Sequence, residues 1–131
     1  YNSLTRQSEA FRAIEDSEVG IYTCGPTVYD FAHIGNLRAY VFEDLLRRTL
    51  KYRGYGIRQV MNLTDVDDKT ICNSMQAGTS LRDFTQQYKD AFFQDLDTLN
   101  IERAEVYPEA TEHVSQMIEL VETNNRKLWL K

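Results

Sequence analysis

Cys24, Tyr29, Asp30, His33 and Asn36 fall within one short stretch of the chain, residues 19–36, VGIYTCGPTVYDFAHIGN. Each brings chemistry that a plain loop does not need. A thiolate is a nucleophile and a soft metal ligand. An imidazole or a carboxamide can donate a hydrogen bond to a phosphate oxygen. Gly25 and Gly35 carry no Cβ, so backbone at those points can come close to a ligand. The order of the residues matters as much as their types. Residues 19–23 are a short apolar run that reads as a buried strand, which Cys24-Gly25-Pro26 stops abruptly. His33-Ile34-Gly35-Asn36 then leads into a helix. Strand, glycine-bearing loop and helix start form the arrangement in which an α/β fold holds a phosphate against bare N–H groups and the positive end of the helix dipole.

Hydrophobic spacing gives the elements that must position these groups. A helix is predicted over residues 37–53, with His33 a few residues upstream of it. Tyr40, Val41, Leu45, Leu46 and Leu50 mark its apolar face, Phe42 lies at the edge, and Arg38, Glu43, Arg47, Lys51 and Arg53 fill the remainder. Asn36 suits the N-cap, and Gly54 the position after the C-cap. Residues 56–63 read as a second strand, which makes a βαβ unit with a right-handed crossover and opens a parallel sheet. The acidic run Thr64-Asp65-Val66-Asp67-Asp68-Lys69 follows at the same sheet edge as Cys24. A short helix is predicted at 69–76, ended by Gly78. Ser80 and Asp83 look like a capping pair for a longer one, whose stripe is Leu81, Phe84, Tyr88, Phe92, Leu96 and Leu99. Residues 101–107 read as irregular, and Pro108 suits the start of a last helix with Val114, Met117, Ile118 and Val121 on one face. Residues 123–126 break that helix.

Composition sets the outer bounds. At 131 residues there is room for one modest core, and the hydrophobic (42%) and charged (27%) fractions are those of an ordinary globular chain. No stretch approaches the ~18 apolar residues of a membrane helix, and residues 1–16 do not resemble a secretory signal. Two cysteines, Cys24 and Cys72, make no disulfide framework and suit a reducing, cytoplasmic compartment. The net charge of −5 argues against a dedicated nucleic-acid-binding module, though not against a local basic patch. Arg47, Arg48, Lys51 and Arg53 are either such a patch, touching RNA, or a solvated helix face.

The segment CGPTVYDFAHIGN resembles the signature of the cysteinyl-tRNA synthetases, class I enzymes with a "HIGH" motif after the first nucleotide-fold strand. LTRQ before it, NLTDVDDKTI after it and YPEATEHVSQMIEL further on are similar to the same family, so that the resemblance covers residues 1–122. It implies an α/β, Rossmann-type (HUP-like) parallel sheet with flanking helices, of which residues 1–123 are the N-terminal half. Residues 124–131 are an unassigned tail or the start of an inserted segment. It also implies ATP-dependent activation of L-cysteine as an adenylate, then transfer to tRNA(Cys), by a monomer that includes the remainder of the synthetase polypeptide.

Residue by residue, the resemblance makes Cys24 one ligand of an active-site Zn²⁺, with the others outside this chain. Zinc would accept the sulfur of cysteine and reject serine, because a thiolate is a far better ligand for it than a hydroxyl. His33 and Asn36 become the catalytic pair. Asn36 stands where the motif name calls for a second His, and can donate through its NH₂ without becoming cationic. Thr27, His33, Gly35 and Asn36 become ATP-binding, with Mg²⁺ accompanying the ATP. Gly25 and Thr64 become substrate-binding, and Tyr29 and Asp30 shape the pocket.

Each has a plainer reading beside it. A lone cysteine at a strand end is often a small packed residue, a histidine before a helix is often a cap, and Cys72 reads as structural. Asp65, Asp67 and Asp68 lack the glycine and terminal glutamate of a calcium loop and read as helix-start acids with pocket structure. Two neighbouring functions also fit the fold. Cysteine ligases of mycothiol biosynthesis pass cysteine to an amino sugar, but tend to carry proline where this chain has Val28. A non-catalytic nucleotide-binding module would keep the fold without turnover.

Overall fold

The computed structural model describes residues 1–15 and 17–128, the last few of these (125–128) as backbone only. Strands β1 (Glu18–Thr27) and β2 (Gly56–Thr64) pair in parallel, with Glu18 opposite Gly56 and Cys24 opposite Asn62. β1 does not stop at Cys24-Gly25-Pro26 as the sequence suggests. It passes through a break in register between Cys24 and Thr27 and rejoins with Thr27 opposite Thr64. Gly25 makes this possible. A Cβ there would lie 2.0 Å from the Asn62 carbonyl oxygen and 2.9 Å from Met61 Cγ, so only glycine lets the strands close at the irregularity.

The other edge of β2 is bonded too. Glu105 and Val106 N–H groups donate to the Gln59 carbonyl, Met61 N–H to the Val106 carbonyl, and Leu63 N–H to that of Pro108. Segment 105–109 is thus a rudimentary parallel third strand with bridges at Val106 and Glu109, where the sequence reads residues 101–107 as irregular and Pro108 as a helix start. Pro108 has no N–H to give a ladder, which keeps the segment short of a full strand and hides it from a pattern search.

Helix α1 (Ile34–Tyr52) connects β1 to β2, and α2 (Asp68–Ala77) and α3 (Leu81–Thr98) follow. Ser80 caps α3 by accepting from Asp83 N–H, and Gly78 ends α2 with φ 66°, as their types suggest. The core is Tyr40, Met61, Leu63, Phe92, Leu96 and Ile101, with Leu37, Phe93, Ala104 and Tyr107 against it.

α1 turns inward only part of the face that its apolar stripe marks. Tyr40 is buried and Leu50 half-buried as expected, but Val41, Leu45 and Leu46 are 47%, 60% and 45% exposed, and Arg47 is buried in their place. Arg47 is neither solvated nor open to RNA. Its guanidinium donates to Glu102 (3.0 Å), Glu105 (2.9 Å) and Gln59 (3.2 Å). Arg48 pairs with Asp44, and Lys51 with Glu102. These acids lie on β2's far flank or one turn back on α1, so most of the expected basic patch is neutralised internally. Tyr52 is exposed, whereas Tyr55 meets Phe11 edge to face.

The last helix opens as a 3-10 turn (Ala110–His113) and continues as α4 (Val114–Leu128). The break expected at 123–126 is absent, since the helix runs through Leu128, and residues 129–131 lie outside the described ones. Two asparagines in a row lower helix propensity but do not end a helix without a glycine or proline to follow. Among the described residues no helix is long and apolar enough to cross a membrane.

Candidate functional site

The start of α1 is built differently from the way its sequence reads. His33, not Asn36, is the N-cap, and the helix begins at Ile34. Gly35 N–H donates to His33 Nδ1 (3.0 Å), and His33 N–H donates to Asn36 Oδ1 (3.2 Å). The two side chains form a reciprocal capping box that satisfies helix-start donors on both sides. Gly35 is what admits the imidazole: a Cβ there would lie 2.8 Å from His33 Cε1 and 3.0 Å from Nδ1. The plainer reading of His33 as a cap is thus what the structure has, with Asn36 its reciprocal partner at the third helical position rather than the cap itself.

The capping bonds decide which atoms remain free. Because Nδ1 is an acceptor, a neutral His33 carries its proton on Nε2. Because Oδ1 of Asn36 is used, its NH₂ is left over. His33 and Asn36 are both exposed and keep one outward donor group each at the positive end of α1. They line a cleft of about 290 Å³ together with Thr27, Tyr29, Asp30, Asp67 and Lys69. Side-chain contacts orient the groups on the rim. Asp30 accepts from Phe31 N–H (2.8 Å), Phe31 packs edge to face on Tyr88 of α3 (5.1 Å), and Lys69 lies over the Tyr29 ring.

The other predicted residues lie near this cleft but do not line it. Thr64 ends β2, where its hydroxyl accepts from Asn62 Nδ2 (3.1 Å) and its carbonyl from Val28 N–H (3.1 Å). The space saved by having no Cβ at Gly25 and Gly35 is filled by the chain's own atoms, Asn62 oxygen and the His33 ring respectively. Cys24 is a free, exposed thiol on β1, opposite Asn62. Burial, with Glu43 and Cys24 adding to it, pushes the Tyr40 phenol up to about 12. Burial also raises the Glu43 carboxyl, a hydrogen bond from Thr23 offsetting part of the effect, and Glu43 Oε2 has no partner among the described residues.

Among the described residues no three His, Cys, Asp or Glu side chains converge in a way that could hold a metal. Cys24 alone offers one soft, accessible ligand. Cys72 is exposed on α2, and the His113 ring is engaged on the Glu109 carbonyl (2.8 Å). The three aspartates have structural partners or positions. Asp67 caps α2 by accepting from Thr70 N–H (2.8 Å), and Asp68 stands in its first turn. Asp65 is 3% exposed, accepts from Thr111 N–H (2.9 Å), and faces buried Lys89 at 3.8 Å. Lys89 also pairs with Glu109 (2.7 Å). The end of β2, α3 and the 3-10 turn are tied together behind the cleft by this charged cluster.

The family of tRNA synthetases class I (C) catalytic domains matches residues 10–128, beyond the point where the motifs alone end. The cysteine–tRNA ligase of Brachyspira hyodysenteriae is 59% identical over 122 residues, which are 93% of this chain and 26% of that protein. The ligase of Protochlamydia amoebophila is 55% identical, over 92% of this chain and 25% of that protein. The ligase of Methanosarcina mazei is also 55% identical, over 93% and 26%. The chain spans about a quarter of the length of these relatives. Among solved structures, Mycobacterium tuberculosis methionyl-tRNA synthetase in complex with methionyl-adenylate is similar in fold. Its TM-score is 0.62 over 67% of this chain and 18% of that one, at 19% identity.

Proposed function

Because the chain belongs to the family of class I (C) tRNA synthetase catalytic domains, we propose that it forms the first part of the catalytic centre of a cysteine–tRNA ligase. The reaction joins L-cysteine to ATP and then passes it to tRNA(Cys). In the first step a carboxylate oxygen of cysteine bonds to the α-phosphorus, the bond to the β-phosphate breaks, and pyrophosphate leaves.

What supports this reading most is the capping box, because it leaves His33 Nε2–H and the Asn36 NH₂ as spare donors at one helix start. Both meet the phosphate oxygens, where negative charge builds as the α-phosphorus gains its fifth oxygen. Placed donors of this kind are typically worth about 3 kcal/mol each. Thr27 completes the ATP contacts, Gly35 serves them indirectly by admitting the His33 ring, and Mg²⁺ would accompany the ATP. Thr64, at the carboxyl end of β2, contacts the amino acid, while Gly25 serves it indirectly by letting β1 close there. The exposed Cys24 thiol suits one corner of a zinc site whose other ligands come from the remainder of the polypeptide. Zinc when bound supplies the preference for a thiol over a hydroxyl. Free thiols at Cys24 and Cys72 suit a reducing cytoplasm.

Transfer of cysteine to an amino sugar fits less well. Val28 N–H is bonded to the Thr64 carbonyl, and proline at that position would have no hydrogen to give. The deciding experiment uses the full-length protein that contains this chain. ATP–pyrophosphate exchange should depend on cysteine and not on serine, and consumption of the adenylate should depend on tRNA. Exchange without tRNA dependence, but with an amino-sugar acceptor, would move the reading to the second ligase. Cysteine-independent ATP binding with no exchange would leave only a binding module.

A further inference from the structure

Lys69 sits where the electrostatics of its own helix are against it. It is the second residue of α2, in the first turn, where the helix dipole favours anions and disfavours cations. Asp67 and Asp68 stand beside it in sequence, yet among the described residues none of the ion pairs involves Lys69. Its ammonium reaches instead across the cleft to β1's loop, where it donates to Tyr29 Oη (3.3 Å) and lies 4.6 Å from the centre of the Tyr29 ring. An aromatic face holds a cation without neutralising it. One N–H is thus used on a weak, neutral acceptor and two remain.

The rest of the cleft wall explains why a free cation would be kept there. Of the described residues lining it, Lys69 is the only Lys or Arg, and it shares the wall with the spare donors of His33 and Asn36. The two acids present are occupied by backbone, Asp67 by Thr70 N–H and Asp30 by Phe31 N–H. A local choice that works against the helix, placed on a concave wall, is the kind of inconsistency expected where function has set the residue.

We infer that Lys69 is the cation of this cleft, held open over Tyr29 so that it can close on the phosphate end of a bound nucleotide. The inference rests on the nucleotide reading given above, and goes beyond it in naming the group that opposes His33 and Asn36 from the second helix. An ammonium swung from a phenol to a phosphate exchanges a neutral hydrogen bond for a charge-assisted one, which is roughly twice as strong. Tyr29 then serves as the resting place that orients it.

The test measures binding to the full-length protein that contains this chain by equilibrium dialysis, with MgATP, inorganic tripolyphosphate and adenosine as separate probes. The expected result is that Lys69→Met weakens MgATP and tripolyphosphate about tenfold or more and leaves adenosine unchanged. Lys69→Arg should restore affinity to within about threefold, and the salt dependence of MgATP binding should be shallower in Lys69→Met. Circular dichroism of each variant checks that the helices are intact, which the exposure of Lys69 favours. Equal losses for MgATP and adenosine would mean a structural role and overturn the inference. Unchanged MgATP affinity in Lys69→Met would overturn it too, even if binding of tRNA to the full-length protein fell. A wild-type protein that binds neither MgATP nor tripolyphosphate would remove the nucleotide reading itself, and Lys69 with it.

Discussion

Asn36 does two things with two atoms, and substitution can pull them apart. Asn36→Asp keeps the oxygen that accepts from His33 N–H and adds negative charge in the first turn, worth about 0.3–1 kcal/mol to the helix. It removes the NH₂ donor. Thermal unfolding should therefore show Tm unchanged or slightly raised, while MgATP affinity falls about tenfold or more. Parallel losses of both would mean that the side chain acts through the cap alone. Gly25 poses a purely steric question. Gly25→Ala forces a methyl group into the Asn62 carbonyl, which is backbone and cannot swing away. Overpacking usually costs about 1–3 kcal/mol, and this position should reach or exceed the top of that range in urea unfolding. Gly20→Ala, where nothing lies within 4 Å, should change stability by less than about 1 kcal/mol. Sequence alone marked both Gly25 and Gly35 as special. It could not say that their space is taken by Asn62 and His33, because both contacts depend on how the chain folds back.

At the scale of elements, the strands and helices were legible within a few residues, since apolar spacing and turn residues are local signals. The orientation of α1 was not. A helical wheel sees Val41, Leu45 and Leu46 as the inward side and Arg47 as solvated. The structure buries Arg47 because Glu102 and Glu105 come from a segment more than fifty residues downstream, running along the far edge of β2. Periodicity carries no information about such partners. This cluster also gives the fold a pH dependence. The Arg47 guanidinium beside Glu105 holds its carboxyl down at about 2, below its ordinary value of 4.5. A depressed carboxyl stabilises the fold fully above the ordinary value, and that contribution is lost as pH falls from there toward 2. Arg47→Met should lower stability at pH 7 by roughly 3 kcal/mol, the low end for a broken buried pair, because both glutamates are partly exposed. Its Tm should also fall less steeply than that of the wild type between pH 5 and about pH 3. Parallel curves would show that Glu105 is held down by something else.

Taken whole, the described residues leave apolar side chains uncovered on two helices. Val41, Phe42, Leu45 and Leu46 on α1, and Val114, Met117, Ile118 and Val121 on α4, are each about half exposed or more. Apolar side chains left uncovered along a helix face drive association. Sedimentation of the 131-residue chain should show self-association that rises with concentration. Leu45→Glu with Phe42→Lys should suppress it without lowering Tm. If the double variant unfolds instead, those side chains support the core. The α/β class and the motif-bearing loop were readable because they rest on short-range patterns. The third strand was not, because Pro108 interrupts the ladder that would have announced it.

That third strand has a dynamic consequence. Among the described residues β2 is the one strand hydrogen-bonded along both edges, and Met61 and Leu63 amides donate across to 105–109 from within the core. In deuterated solvent these protons should be the last to leave, with protection close to that of global unfolding. The amides of residues 29–33, on the cleft rim, should exchange orders of magnitude sooner. A stiff spine beneath a yielding lip would let a ligand reshape its own entrance while the floor stays in register.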